Sequence, residues 1–198
     1  MPVINDRTPA IGFHTQRFQS EDGGGYTYTL TQKLGEYLRE AERRYGQRNM
    51  EWTILGIEFC GDVPHVWFPY NERLISIILT DAAAMNTEQA LFQISHEVIH
   101  LLEPSHVSPA TVFEEGLATL FAHEMSAKDQ LGLISAEQQS YLAAESALKE
   151  LLAIHGDAVR SVRRSEKTFF NLSEEGILRA CPNAPSAPAK KLSEKFAR

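Results

Sequence analysis

Two histidines and a glutamate in the middle of the chain have types and a spacing that could do chemistry. They are His96, Glu97 and His100, in the sequence His-Glu-Val-Ile-His. On a helix this spacing places the two imidazoles one turn apart on the same face, where both can bind one metal ion. Zinc prefers nitrogen, sulfur and carboxylate ligands, so the motif predicts a zinc site with the Glu97 carboxylate beside it.

A catalytic zinc site has three protein ligands and leaves one position for water, so a third ligand should exist. Glu115 is the preferred candidate, because the next predicted helix follows a break at Pro104 and would return toward the first. His106 is the alternative, since it has the spacing of the longer HExxHxxGxxH motif. Glu103 occupies the glycine position of that motif and precedes Pro104, which restricts the backbone there and favours Glu115.

Glu114, beside the preferred ligand, has a second interpretation. With Thr111 it fits the Thr-x-x-Glu capping box, in which its carboxylate accepts a hydrogen bond from a backbone N–H at the helix start. Ser108 followed by Pro109 is an alternative start for the same helix, and that start leaves Glu114 open as a ligand.

The secondary-structure elements that must position these residues follow two patterns. Short apolar runs between turns predict strands over 52–79, and helical periodicity predicts helices before them and from residue 87 onwards. The expected elements are helix 30–45, strands 52–59, 65–68 and 73–79, and helices 87–102, 110–125, 136–154 and 157–167. Strands followed by helices predict an α+β fold, with a small three-to-four-stranded sheet before the helical region that carries the motif.

The length of 198 residues suits one domain, expected over 26–180. Three glycines at 23–25 predict a flexible segment over 1–25, and the prolines after Cys181 predict a C-terminal tail over 181–198. The net charge of -7 disfavours nucleic acid as a partner. With no signal-like start and no long apolar run, we expect a cytoplasmic protein without a membrane partner, and free thiols at Cys60 and Cys181.

The HExxH motif, followed by Glu115-Gly116-Leu117-Ala118, resembles the gluzincin class of zinc metallopeptidases. In that class a glutamate on the following helix supplies the third ligand, often in a Glu-Gly-x-Ala context. The strand over 74–79 and the connection over 81–88 also resemble minimal gluzincins of the ImmA/IrrE type, although no helix-turn-helix partner domain is apparent. The resemblance implies a zincin-like domain that binds zinc through His96, His100 and Glu115.

The reaction expected of such a site is hydrolysis of a peptide or protein substrate. Zinc would lower the pKa of its water toward about 7, while Glu97 takes the water proton and returns it to the leaving amine. Two rival functions remain. One is a non-catalytic or regulatory zinc module that acts through a protein partner and has a fourth protein ligand. The other is hydrolysis of a carbonyl compound other than a peptide.

Residues that could assist the reaction are predicted less specifically. A peptide substrate could add to an edge strand at 66–71, and His65 is given no role. The candidate donors to the oxyanion are Tyr141, His123, His155 and Tyr70. The carboxylates that could orient the ligating histidines are Glu114, Glu103 and Asp81.

Overall fold

The computed structural model describes residues 16–18, 25–28, 30–70, 73–106, 109–131 and 139–197. Within these residues the chain forms five strands, seven α-helices and one 3-10 helix. In chain order they are β1 Gln16–Phe18, β2 Gly25–Tyr28, α1 Leu30–Tyr45, β3 Thr53–Phe59, β4 His65–Trp67, β5 Leu74–Leu79, the 3-10 helix Asp81–Met85, α2 Thr87–His100, α3 Val112–Lys128, α4 Gln139–Ile154, α5 Ala158–Glu166, α6 Glu174–Ala180 and α7 Ser186–Ser193. The predicted α+β class is confirmed.

Strands β3, β5 and β4 form one three-stranded mixed sheet, in that order. β3 runs parallel to β5, and β4 runs antiparallel to it, with Val66 opposite Ile77. The central strand β5 is buried over five of its six residues, which explains its almost unbroken apolar sequence. β4 lies at an edge of this sheet, as expected for the segment at 66–71, whose last residue is outside the described part of the chain.

The two ends of the chain add further elements. β1 and β2 pair antiparallel in a separate two-stranded sheet. The rest of the segment predicted to be flexible, at 1–15 and 19–24, lies outside the described residues. The segment at 181–198, predicted as a tail, contains α7, and Pro188 lies in the first turn of that helix, where a missing N–H is tolerated.

The elements predicted between residues 30 and 167 are confirmed, with bounds that differ by no more than three residues. α3 begins at Val112 because Thr111 caps it, so the start at Pro109 is wrong. α6 was not predicted, because seven residues are too few to establish a helical period. Cys60 is exposed, Cys181 is buried and both are free, as predicted. No helix in the described ranges is both long and apolar enough to cross a membrane.

Helices α2 and α3 occupy the centre of the helical region. α2 begins after Asn86, whose side chain accepts a hydrogen bond from the backbone N–H of Gln89. In α3, 13 of the 17 residues are buried, so this helix is enclosed by neighbours on nearly every side. The two helices are antiparallel, because Phe92 near the start of α2 contacts His123 near the end of α3.

A buried amide fixes α2 against the sheet. The Gln93 side chain accepts a hydrogen bond from the backbone N–H of Thr80 at 3.0 Å and donates to the Thr80 hydroxyl at 2.9 Å. Thr80 directly follows β5, so the pair ties the carboxyl end of the central strand to the middle of α2. This contact fixes the position of α2, and therefore of the two motif histidines, relative to the sheet.

Candidate metal centre

The structure brings His96, His100 and Glu115 together at the interface of α2 and α3. One potential ligand atom from each residue lies within 4.8 Å of the others. The Nε2 atom of His96 is 3.2 Å from one Glu115 oxygen, and the Nε2 atom of His100 is 3.8 Å from the other. The hairpin that returns α3 along α2 therefore places Glu115 as the sequence predicted.

The spacing of these three groups suits a small metal ion. Atoms about 2.1 Å from a tetrahedral zinc are about 3.4 Å apart, and the two measured separations lie on either side of that value. Two imidazole nitrogens and one carboxylate form a donor set that zinc accepts in catalytic sites. Within the described residues the group has these three members, so it offers no fourth protein ligand there.

Glu114 forms a hydrogen bond with Nδ1 of His100, the ring nitrogen that does not face Glu115. The Nδ1–H of His100 donates to Glu114 Oε1 at 2.8 Å, so in the neutral form of the ring Nε2 is the nitrogen that could bind a metal ion. Burial alone would lower the pKa of His100, but this hydrogen bond and the charges of Glu115, Glu114 and Glu97 raise it to about 10. Such a carboxylate partner fixes both the tautomer and the ring orientation of a ligand.

This contact corrects one half of the capping-box prediction. The Thr111 side chain accepts from the Glu114 backbone N–H at 3.2 Å, so Thr111 is the N-cap as expected. The Glu114 carboxylate contacts His100 instead of returning to the helix start. Of the other carboxylates considered, Glu103 pairs with Arg163, and Asp81 accepts from the backbone N–H of Gly61.

Glu97 is the most buried carboxylate near the group, at 3 % exposure. Burial raises the pKa of Glu97, and the positive charges of His100 and His96 act in the opposite direction. The charge of His65, on β4, is a smaller contribution that also lowers the pKa of Glu97. The sequence carried no signal for this, because His65 precedes the motif by some thirty residues.

His106 does not join the group. Its ring stacks against Phe68 at a centroid separation of 4.2 Å and lies 5.7 Å from the ring of Trp52. Phe68 follows β4 and Trp52 precedes β3, so the His106 ring packs against residues that flank the three-stranded sheet. Of the two candidate third ligands, the structure therefore brings Glu115 to the histidines and leaves His106 away from them.

Helix α4 packs against α3 and carries Tyr141. The Tyr141 ring stands nearly perpendicular to that of His96, with centroids 5.7 Å apart. Gly116 makes this approach possible, because a Cβ there would lie 2.5 Å from the backbone oxygen of Ala144 on α4. On its other side Tyr141 contacts Phe196, which pairs with the start of α3 through Ala110.

The other predicted oxyanion donors lie elsewhere or have other partners. His123 Nδ1 is 2.9 Å from the buried Glu145 carboxylate, two turns along α3 from Glu115. His155 contacts the Ser161 hydroxyl beyond the end of α4, and Tyr70 is 83 % exposed. Tyr141 is therefore the member of that set which the fold brings against a motif histidine.

Comparison with protein-family models, with curated proteins and with solved structures found no match to this chain. The interpretation of the site therefore depends on its own geometry.

Proposed function

We propose that this protein is a zinc-dependent metallopeptidase of zincin-like fold. The observation that carries the proposal is the convergence of His96, His100 and Glu115 within 4.8 Å, with Glu97 buried on the same helix as the two histidines. Three ligands without a fourth among the described residues suit a catalytic site better than a structural one. Glu97 favours catalysis further, because a structural site has no use for a carboxylate beside the ligands.

His96 and His100 would hold the metal through Nε2, and Glu115 through its carboxylate. When bound, zinc supplies a Lewis acid that polarises a carbonyl and acidifies a water molecule. Glu114 contributes by accepting the Nδ1 proton of His100, which orients the ring and selects Nε2 as the ligand nitrogen. Because the pKa of His100 is raised, metal binding at Nε2 would displace a proton. Each of these roles belongs to a residue that the fold already positions.

Glu97 is the proton carrier in the proposed reaction. It takes a proton from the attacking water and delivers it to the amine that leaves when the peptide bond breaks. Both transfers need one carboxylate within reach of the attacking water and of the leaving nitrogen, so a neutral replacement of similar shape should remove the chemistry and spare the ligands. Tyr141, against His96, is the proposed hydrogen-bond donor to the oxyanion.

The peptide substrate would bind along β4. This strand is antiparallel to β5 and lies at the edge of the three-stranded sheet, and no described strand pairs with its other side. An extended peptide added there gains main-chain hydrogen bonds that do not depend on its sequence. β4 also packs against α2, which connects this edge with the helix that carries the proposed base.

The test begins with metal content, measured by elemental analysis in the wild type, Glu115→Ala and His106→Ala. We expect about one zinc per chain in the wild type and in His106→Ala, and loss of zinc in Glu115→Ala. Retention by Glu115→Ala together with loss by His106→Ala would reverse the choice of third ligand.

Glu97→Gln then separates catalysis from metal binding. We expect this variant to keep zinc and to lose cleavage of a mixed peptide library that the wild type cleaves. Tyr141→Phe should keep zinc as well and lose about 100-fold in kcat, as expected for one oxyanion donor. A wild type that holds zinc but cleaves no peptide would instead favour the regulatory zinc module.

A further inference from the structure

A second concave site lies away from the metal centre, between the end of α1 and the face of α5. It encloses about 830 Å³ and is bounded by residues 45–49 on one side and by residues 157–168 on the other. Five cationic side chains line it, against two carboxylates, in a chain whose net charge is -7. The five are Arg48, Arg160, Arg163, Arg164 and Lys167, and the carboxylates are Glu103 and Asp157.

Most of these cations come from one face of α5 and from the residue after it. Arg160, Arg163, Arg164 and Lys167 have the spacing i, i+3, i+4 and i+7, which places them in a single stripe. The opposite face, including Val159 and Val162, is buried in the core. Like charges one turn apart weaken a helix by a few tenths of a kcal/mol per pair, so the stripe opposes helix formation unless an anion compensates it.

Two arginines are held in place by neutral groups. Arg160 donates to the backbone oxygen of Arg44, and Arg163 donates to that of Gln47 at 2.8 Å. Carbonyl oxygens orient a guanidinium without cancelling its charge, so these contacts fix the geometry of the cations and leave the positive potential. The buried Nε of Arg163 has no hydrogen-bond partner within the described structure.

Carboxylates compensate only part of the charge. Arg163 pairs with Glu103 at 2.6 Å, and Arg164 pairs with Asp157 at 2.7 Å. Lys167 is exposed and makes no ion pair or side-chain hydrogen bond with any residue that the structure describes. Among the lining residues the cations therefore exceed the carboxylates by three, and Arg48 lies 3.9 Å from Glu42, outside the lining. Arg160 and Lys167 are the lining cations that have no carboxylate partner among the described residues.

We propose that this cavity binds a small phosphorylated molecule. Guanidinium groups match phosphate oxygens in geometry as well as charge, and several of them together favour a ligand with two or more negative charges. The volume lies within the range of about 300–1,000 Å³ that is common for small-molecule sites. A nucleic-acid duplex is disfavoured as the ligand, because the negative charge of the whole chain repels it.

The test uses inorganic pyrophosphate as the probe, with the full-length chain, by isothermal titration calorimetry. We expect saturable binding to the wild type that exceeds the effect of sodium chloride at equal ionic strength. The double variant Arg164→Gln with Lys167→Asn should bind about tenfold more weakly, since it removes two exposed cations. Asparagine suits position 167, where φ is +63°.

Three further variants make the result decisive. Lys167→Asn alone disrupts no described ion pair, so it should fold and should weaken binding by about threefold even if the double variant does not fold. Lys190→Asn, an exposed cation on α7, should bind like the wild type. Glu115→Ala should also bind pyrophosphate normally, which separates this cavity from the metal centre. Absence of saturable binding, or equal binding by the wild type and Lys167→Asn, would overturn the proposal.

Discussion

Replacing Glu114 is expected to weaken metal binding without removing any ligand. Glu114 Oε1 accepts the Nδ1 proton of His100 at 2.8 Å from a position that is 6 % exposed. Partners of this kind contribute about 10–100-fold to metal affinity. Glutamine keeps an acceptor oxygen but loses the charge, and charge-assisted hydrogen bonds are roughly twice as strong as neutral ones. We therefore expect a loss of about tenfold in Glu114→Gln and about 100-fold in Glu114→Ala.

The chain offers a matched control for this experiment in a second buried pair of glutamate and histidine. Glu145 is 5 % exposed and lies 2.9 Å from Nδ1 of His123, so its burial and geometry resemble those of Glu114. Neither Glu145 nor His123 belongs to the candidate metal-binding group. Glu145 also pairs with Lys149 at 2.6 Å, so Glu145→Gln should lower folding stability at least as much as Glu114→Gln and leave zinc affinity unchanged.

Zinc affinity can be measured by competition with a chromophoric chelator, at fixed pH, on protein that circular dichroism shows to be folded. The reasoning is refuted if Glu114→Ala binds zinc within about twofold of the wild type, since the hydrogen-bond partner would then not matter. It is also refuted if Glu145→Gln loses as much affinity as Glu114→Gln, because the loss would then reflect general destabilisation.

Three further predictions concern folding stability, each measured by urea denaturation. Gly116→Ala should lower the free energy of unfolding by about 1–3 kcal/mol, because the added Cβ meets the Ala144 backbone oxygen. Gln93→Leu should cost about 1–3 kcal/mol by leaving the buried Thr80 N–H without its acceptor, whereas full stability in the variant would show that water replaces it. Burial raises the pKa of Tyr45 to about 12, so the folded state holds a proton that the unfolded state releases near pH 10. The stability contribution of Tyr45 is complete below about pH 10 and is lost as the pH rises toward 12, by at most about 1.4 kcal/mol per pH unit. Tyr45→Phe should reduce this loss of folding stability above about pH 10. A variant whose stability falls with pH as steeply as that of the wild type would contradict the prediction.

The local part of the site could be predicted from the sequence because its geometry is set within one helix. His96, Glu97 and His100 follow from the helical period alone, and the apolar positions around them indicate burial. The helices predicted over 30–167 were predictable for the same reason, since each is long enough to show a period. The short strands were indicated by their β-branched and aromatic residues between turns. Glu115 could be predicted as well, because a short connection brings the next helix back beside the first.

The remaining features depend on contacts that are distant in sequence. His65 influences the pKa of Glu97 because β4, which carries it, pairs with β5 in the sheet beside α2. Tyr141 reaches His96 only because Gly116 admits the backbone of α4. In both cases the two elements are distant in sequence, and no local pattern specifies how they pack together. The sequence could therefore name Tyr141 as a candidate without placing it, and it gave His65 no role.

The adjacent glutamates show why a cap and a metal site need not be alternatives. Neighbouring residues on a helix point about 100° apart, so Glu114 and Glu115 cannot face the same atom. With Thr111 as N-cap, Glu115 faces both Nε2 atoms while Glu114 reaches Nδ1 of His100 from the side. The backbone half of the capping box fixes where α3 begins, and the buried contacts on nearly every side of α3 fix the rotation of both carboxylates. A shift of the sequence by one residue along α3 would turn both by about 100° and remove each from the histidine nitrogen that it faces.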